Sequence, residues 1–191
     1  MAIPIVLRPP SVSNAPQISF DPPSTDWLSG TWHVTHSSLP MWKPKRNVRI
    51  TYSALPPANS GRMQGTDRLD DIVSYQASNS DKIKTVHGVD TASGKGSGAW
   101  DWRGKGLLAI ASSHWEILGY GEIGEEPWVV TYFAKTLFTP AGVDIYSRSK
   151  NGLSGEIVSG IKEALSTLED SNVRKLGCEI FEIKRDDARS D

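Results

Sequence analysis

Four histidines and seven tryptophans are the residues of this 191-residue chain best suited to do chemistry or to shape a site. His33 and His36 are three apart in a stretch of period two, so they face opposite sides of a strand and cannot share a metal ion. If Trp32 points inward, Val34 and His36 do as well. An imidazole in an apolar interior needs a partner, which a tyrosine, a carboxylate or a ligand can supply. His36 is therefore the first candidate proton donor or acceptor, with a satisfied core histidine as the plainer alternative. Ile83, Thr85 and His87 share a face by the same alternation, which makes His87 the second candidate. His114 and Glu116 also share a face. That pair suits acid–base work if the face is interior and is a surface ion pair otherwise.

The tryptophans, from Trp27 to Trp128, are spread over most of the chain. They either fill a core or line a pocket for a flat or greasy ligand. Trp100 and Trp102 lie on one face of a strand, which must be buried. Trp42, with Met41, follows the first strand in a loop. Tyr52, Trp102, Trp115 and Tyr132 join Trp42 as expected ligand-binding residues.

Other signatures are missing. No Gly-x-Ser-x-Gly elbow and no Gly-x-Gly-x-x-Gly before a helix occurs. Gly94-Lys95-Gly96-Ser97-Gly98 reads as a hairpin loop, because no helix follows it. Histidine and cysteine spacing gives no zinc site, and no cofactor or metal is expected. A formal net charge of −1 without a basic stripe argues against nucleic acid as a partner. No apolar run reaches membrane-spanning length, so no membrane partner is expected. The lone Cys178 and the absence of a recognisable signal peptide lead to an expected cytoplasmic location.

The elements that must position these residues are mostly strands. Residues 1–23 hold six of the twelve prolines and form a proline-rich arm. Ser24-Thr25-Asp26 can cap a short turn. From Thr31 onward the period is two, with strands expected over 31–38, 46–54, 62–76, 81–90, 98–103, 106–112, 114–121, 127–137 and 142–148. The turn at 56–61 and the others between strands are rich in Gly, Pro, Asn and Ser. One amphipathic helix is expected over about 154–168, with Ser154 as N-cap and an apolar stripe of Ile157, Ile161, Leu165 and Leu168. A last strand follows near 178–184, then a charged, frayed tail over 185–191. Sequential short strands with tight turns imply an all-β antiparallel sheet that hides its edges by closing into a single up-and-down barrel, the domain spanning 24–184.

Gly30-Thr31-Trp32 on the first strand, Ser147-Arg148 at the end of the last barrel strand, and the helix and strand after it resemble the lipocalins. The middle motif of that family is not clear, since Val130-Thr131-Tyr132 lacks the acid, so the chain resembles an outlying lipocalin-like or calycin barrel. The resemblance implies a closed barrel around a small-molecule cavity, with Arg148 packed across Trp32 at the closed end. The chain also looks like fungal lipocalin-like proteins, some of which catalyse cyclisations in specialised metabolism. Two functions follow as expectations. One is a cofactor-free cyclase or isomerase acting on a hydrophobic or aromatic metabolite. The other is a non-catalytic carrier or sensor of such a molecule.

Overall fold

The computed structural model describes residues 5–58, 65–94 and 97–189. Among these, nine strands make one antiparallel sheet: β1 (Gly30–Ser37), β2 (Lys45–Ala58), β3 (Thr66–Ala77), β4 (Ile83–Ala92), β5 (Ala99–Gly104), β6 (Ser112–Ile123), β7 (Glu126–Phe133), β8 (Gly142–Ser147) and β9 (Phe181–Glu182). Consecutive strands pair from β2 to β8, and β1 pairs with both β8 and β2, closing an eight-stranded up-and-down barrel. β9 adds to the outer end of β1. Helices α2 (Gly155–Thr167) and α3 (Ser171–Cys178) pack outside the wall, and α1 (Thr25–Leu28) puts Leu28 into the inner core at one end. Of the expected turn at 56–61, residues 56–58 continue β2, while 59–61, the first residues of the expected strand 62–76 and part of the loop 93–98 fall outside the described residues.

Two expectations are corrected. The segment 106–112 is a loop opened by a 3-10 turn, Gly106–Leu108, and not a strand. Gly106 takes a positive φ of 60°, and the Arg103 guanidinium donates to the Ala109 carbonyl, so the segment bonds to itself. The expected strand 178–184 shrinks to two residues, because a further helix, α3, runs to Cys178 and closes with the Glu179 N–H on the Leu176 carbonyl. The charged tail is anchored as far as described: Asp186 accepts from the Asn47 amide at 2.7 Å, and Arg189 donates to Ser74 Oγ at 2.9 Å.

Two apolar cores result from the alternation of the strands. The inner core takes Trp32, Val34, Ile50, Leu69, Ile117 and Val129. The outer one lies between the barrel wall and α2–α3, where Ile157, Ile161 and Leu165 meet Val130, Val143 and Ile145. Each such side chain contributes about 1.5–3 kcal/mol by leaving water. Ser154 occupies the N-cap of α2 as expected, without a side-chain cap bond.

At the closed end, Arg148 lies over the Trp32 ring, 3.7 Å from its centroid. Its guanidinium donates to the carbonyls of Trp27 (2.6 Å), Ser29 (2.7 Å) and Thr31 (3.1 Å), tying α1 to β1. Gly30 is needed here: its φ is 98°, and a Cβ would lie 3.0 Å from that guanidinium. The Trp32 indole N–H donates to the Leu28 carbonyl at 2.8 Å.

The N-terminal arm lies along the outside of β6. Arg8, buried, pairs with the fully buried Glu116 at 2.9 Å, and the Ser11 N–H and Oγ–H also donate to that carboxylate. His114 stands 3.3 Å from Glu116 and 2.8 Å from Asp101, so the His114–Glu116 face is exterior. Bonding to Glu116 and Asp101 outweighs partial burial and raises the His114 imidazole to about 9. Burial pushes the Glu116 carboxyl up, but the bonds from His114 and Ser11 and the Arg8 charge hold it at about 2.

Two outcomes follow. Arg148→Ala should lower stability by about 2 kcal/mol in chemical denaturation, through loss of the ring contact and the carbonyl bonds. Glu116→Gln should cost about 2–3 kcal/mol, because it leaves the Arg8 charge buried and unpaired. The contribution of Glu116 is present above pH 4.5 and lost as pH falls towards 2; that of His114 is present below pH 6.5 and lost as pH rises through 9. Limited proteolysis should therefore find the arm most protected between pH 4.5 and 6.5.

Candidate functional site inside the barrel

Trp32 and Val34 point into the barrel, as period two requires. The pairing of β1 with β8 then shifts from Val34–Tyr146 to His36–Ile145, so β1 carries one extra residue at Thr35. This bulge reverses every side chain beyond it. Ser37 points inward where His36 was expected. His36 lies half-buried on the outer side, its Nδ1 3.0 Å from Thr35 Oγ1. Burial, with Lys162 and Arg185 nearby and Glu182 opposing, holds its imidazole down at about 4.

His87 is also outside. Its Nε2 sits 2.9 Å from both oxygens of Asp70, with Lys105 Nζ at 3.3 Å. The inward set on β4 is the opposite one, which includes Gly88 and Asp90. Tyr132 faces outward as well, into the core beneath the helices, because on β7 it is Val129, Thr131 and Phe133 that point in. Neither expected catalytic histidine thus reaches the lumen, and one of the five expected ligand-binding residues is excluded.

The other four, Trp42, Tyr52, Trp102 and Trp115, are interior. Tyr52 and Trp115 stack at 5.7 Å, and Trp115 stacks on Trp100 at 5.9 Å and on Phe133 at 6.4 Å. Trp42 closes the mouth over Tyr75, edge to face at 6.0 Å. These rings occupy the lumen. Two cavities of about 320 Å³ lie elsewhere, one between the arm and α2 and one among polar residues around Asn47 and Arg185. Neither is lined by the interior acids described next.

Three carboxyls that the sequence reading did not single out lie among the rings: Asp71 on β3, Asp90 on β4 and Asp144 on β8, all buried. Ser37 Oγ donates to Asp144 at 2.5 Å and the Trp42 indole N–H donates to its other oxygen at 3.3 Å. The Trp115 indole N–H donates to Asp90 at 2.7 Å. The Trp102 ring lies on Gly88, where a Cβ would come within 2.2 Å of its nitrogen, and this close approach turns the indole towards Asp71. Burial raises both Asp90 and Asp144 to about 7, against the pull of their indole and hydroxyl donors. Burial, with Asp90 and Asp70 beside it, pushes Asp71 well above the carboxylate range.

Tyr52 and Tyr146 stand between these acids. Burial raises both phenols, and Asp71 acts on both, joined by Asp90 at Tyr52 and by Asp144 at Tyr146. Several buried polar atoms of this cluster have no hydrogen-bond partner: Asp71 Oδ1, Asp90 Oδ2, Trp100 Nε1, Thr131 Oγ1 and the Tyr146 hydroxyl. Tyr146 lies close to Tyr52 and Thr131 without a well-formed bond to either. Buried polar groups left open in this way are costly, and their convergence marks a place where a ligand can bond. Chemically, the cluster offers carboxyls that hold their protons up to about neutral pH, and phenols, as proton and hydrogen-bond donors within an aromatic wall. A signal for Asp144 and Tyr146 was available: in Val143-Asp144-Ile145-Tyr146, alternation places the acid on the face shared with the tyrosine, opposite two apolar residues. Nothing comparable singles out Asp71 over its neighbour Asp70.

No family model matches the chain. A curated relative, botcinic acid biosynthesis cluster B protein 12 of Botryotinia fuckeliana (strain B05.10), is 31% identical over 181 residues, covering 90% of this chain and 80% of the relative. Among solved structures, insecticyanin from the tobacco hornworm Manduca sexta superposes with a TM-score of 0.58 at 13% identity, over 96% of this chain and 91% of that one. Apocrustacyanin C1 gives 0.56 at 14% identity, over 83% and 77%. The amine-binding protein of Rhodnius prolixus, solved with tryptamine, gives 0.53 at 14% identity, over 92% and 90%. With the Arg148–Trp32 closure, the eight-stranded barrel and the external helix all in place, the chain has the lipocalin-like barrel fold, and it belongs to one family with the fungal botcinic acid biosynthesis cluster protein.

Proposed function

We propose that the chain binds a small hydrophobic metabolite in its barrel and acts on it as a cofactor-free cyclase or isomerase of specialised metabolism. The observation that carries this reading is the convergence of Asp71, Asp90, Asp144, Tyr52 and Tyr146 on one aromatic-walled lumen, with several of their polar atoms unpartnered. A carboxylic acid kept neutral in an apolar site can donate a hydrogen bond or a proton to a carbonyl oxygen, and a neighbouring phenol can stabilise the charge that develops there. The stacked indoles favour a flat or polyunsaturated substrate and hold it folded away from water. The gene-cluster relative supports a place in specialised metabolism. The lone cysteine, Cys178, exposed and free, is consistent with a cytoplasmic protein.

Asp144 and Tyr146 are assigned the proton-donating role, because Asp144 lies nearest the mouth and the Tyr146 hydroxyl is open to a ligand. Native mass spectrometry of whatever co-purifies identifies a substrate, and its conversion is then followed. Asp144→Asn and Tyr146→Phe should each lower turnover by about 10²-fold with the ligand still bound. A carrier would return the ligand unchanged, and both substitutions would alter affinity alone.

The same acids set a pH dependence. Asp90 and Asp144 titrate near 7 in the fold and near 3.8 unfolded, so the folded state holds extra protons between these values. Their effect is a loss of stability as pH rises from about 4 to 7. His33 and His36, both pushed down to about 4, act in the opposite sense as pH rises from 4 to 6.5. They are common to wild type and variant and cancel in a comparison. Relative to wild type, Asp144→Asn should gain about 2–3 kcal/mol between pH 5 and pH 8 in urea denaturation.

A further inference from the structure

The antiparallel register sets one end of every barrel strand apart from the other. Ser37, Lys45, Ala77, Ile83, Gly104, Ser112, Phe133 and Gly142 all lie at the end opposite the Arg148–Trp32 closure. The loops there carry large apolar side chains that point into solvent. Leu107 and Ile110 are 102% and 93% exposed, Leu137 and Phe138 are 89% and 82% exposed, and Met41 and Leu108 are exposed beside them. Soluble proteins seldom leave such groups clustered in water without a partner. Leu107, Ile110, Leu137 and Phe138 belong to neither apolar core, so the fold does not need them.

Charge at this end is one-sided. In segments 38–45, 77–84, 103–112 and 133–142 lie seven of the chain's 21 basic residues and one of its 22 acidic residues. That acid, Asp81, is paired with Arg46. Lys82, Lys84 and Lys135 are exposed around the apolar tips, with Lys43 over the Phe181 ring and Lys105 paired with Asp70 beside them. The rest of the chain is acidic on balance.

We propose that the open end of the barrel docks on an anionic lipid surface, with Leu107, Ile110, Leu137 and Phe138 entering the acyl boundary and the surrounding lysines meeting the headgroups. Apolar loop tips supply burial, and a basic rim supplies attraction to a negatively charged leaflet. A protein partner of matching shape would need a surface both acidic and apolar. A lipid leaflet offers both at once, and the apolar tips stand on separate loops that need no fixed complement. Docking of this kind uses no spanning segment, and among the described residues no helix is long and apolar enough to cross a membrane. The expectation of no membrane partner rested on spanning segments alone. Docked in this way, the mouth over Trp42 and Tyr75 would face the phase in which a hydrophobic ligand concentrates. The inference stands whether the barrel converts its ligand or carries it.

The test is sedimentation of the full chain with vesicles of phosphatidylcholine, with and without phosphatidylserine. Partitioning should rise about tenfold when phosphatidylserine is present and fall as salt is added. Leu107→Ser combined with Phe138→Ser should reduce partitioning about tenfold with Tm unchanged. Lys82→Glu with Lys135→Glu should remove the dependence on phosphatidylserine. Wild-type protein that ignores both vesicles overturns the proposal, and so do serine variants that bind as wild type does. Analytical ultracentrifugation covers the remaining occupant: a dimer that the serine substitutions dissociate, without vesicle binding, would assign the surface to a second copy of the chain and overturn the proposal.

Discussion

The first strand carries the closure of the barrel. β1 bonds to β2 from Gly30 to His33 and to β8 from His33 to Ser37, so the two ends of the sheet meet on one eight-residue segment. Where β2 leaves β1, β9 takes its place at His36 and Ser37. The Thr35 carbonyl, at the bulge, accepts from both Ile183 N and the Arg185 guanidinium. The start of β8, β9 and the tail are therefore in register with β1 only because it bulges at that point. Without the bulge, Ser37 would not reach Asp144, and the hydroxyl that holds this carboxyl in the lumen would point away.

The closed end and the lumen handle polarity in opposite ways. At the closed end every donor of Arg148 that matters finds a carbonyl, and the cation rests on an aromatic face. The result is a rigid plug of α1, Trp27 and Trp32. In the lumen, three acids are buried with fewer partners than they have lone pairs. Neutrality is the cheaper state for them, and their raised proton affinity is the physical expression of that. A fold that tolerates such groups gives up stability at a site, a pattern expected where function sets the choice. The two apolar cores on either side of the barrel wall supply the stability that makes this affordable.

The open end adds a third environment. Its loops over 106–110 and 134–141 leave Leu107, Ile110, Leu137 and Phe138 in solvent. The mouth is gated from within by Trp42, whose indole N–H reaches Asp144. A movement of the loop that carries Trp42 would therefore change the surroundings of an interior acid directly, linking access to the lumen with its chemistry.

How much of this was legible depends on the range of the interaction concerned. The alternation from Thr31 onward, the spacing of Ile157, Ile161 and Leu165, and the pairing of Gly30-Thr31-Trp32 with Arg148 fix the barrel, the external helix and its closed end, because each is local or rests on an anchor motif. Tyr52, Trp102 and Trp115 were placed correctly for the same reason: their strands are regular where they sit. His36, His87 and Tyr132 were misplaced because the face a residue takes depends on strand register. Register is set by pairing with distant strands and by bulges such as the one at Thr35, which a period-two pattern does not contain. The interior acids show the same limit. The sequence determined that strands would alternate and close. Only the tertiary structure decided that Asp71 rather than Asp70, and Ser37 rather than His36, would face the lumen, because a shift of one residue in pairing inverts every side chain beyond it.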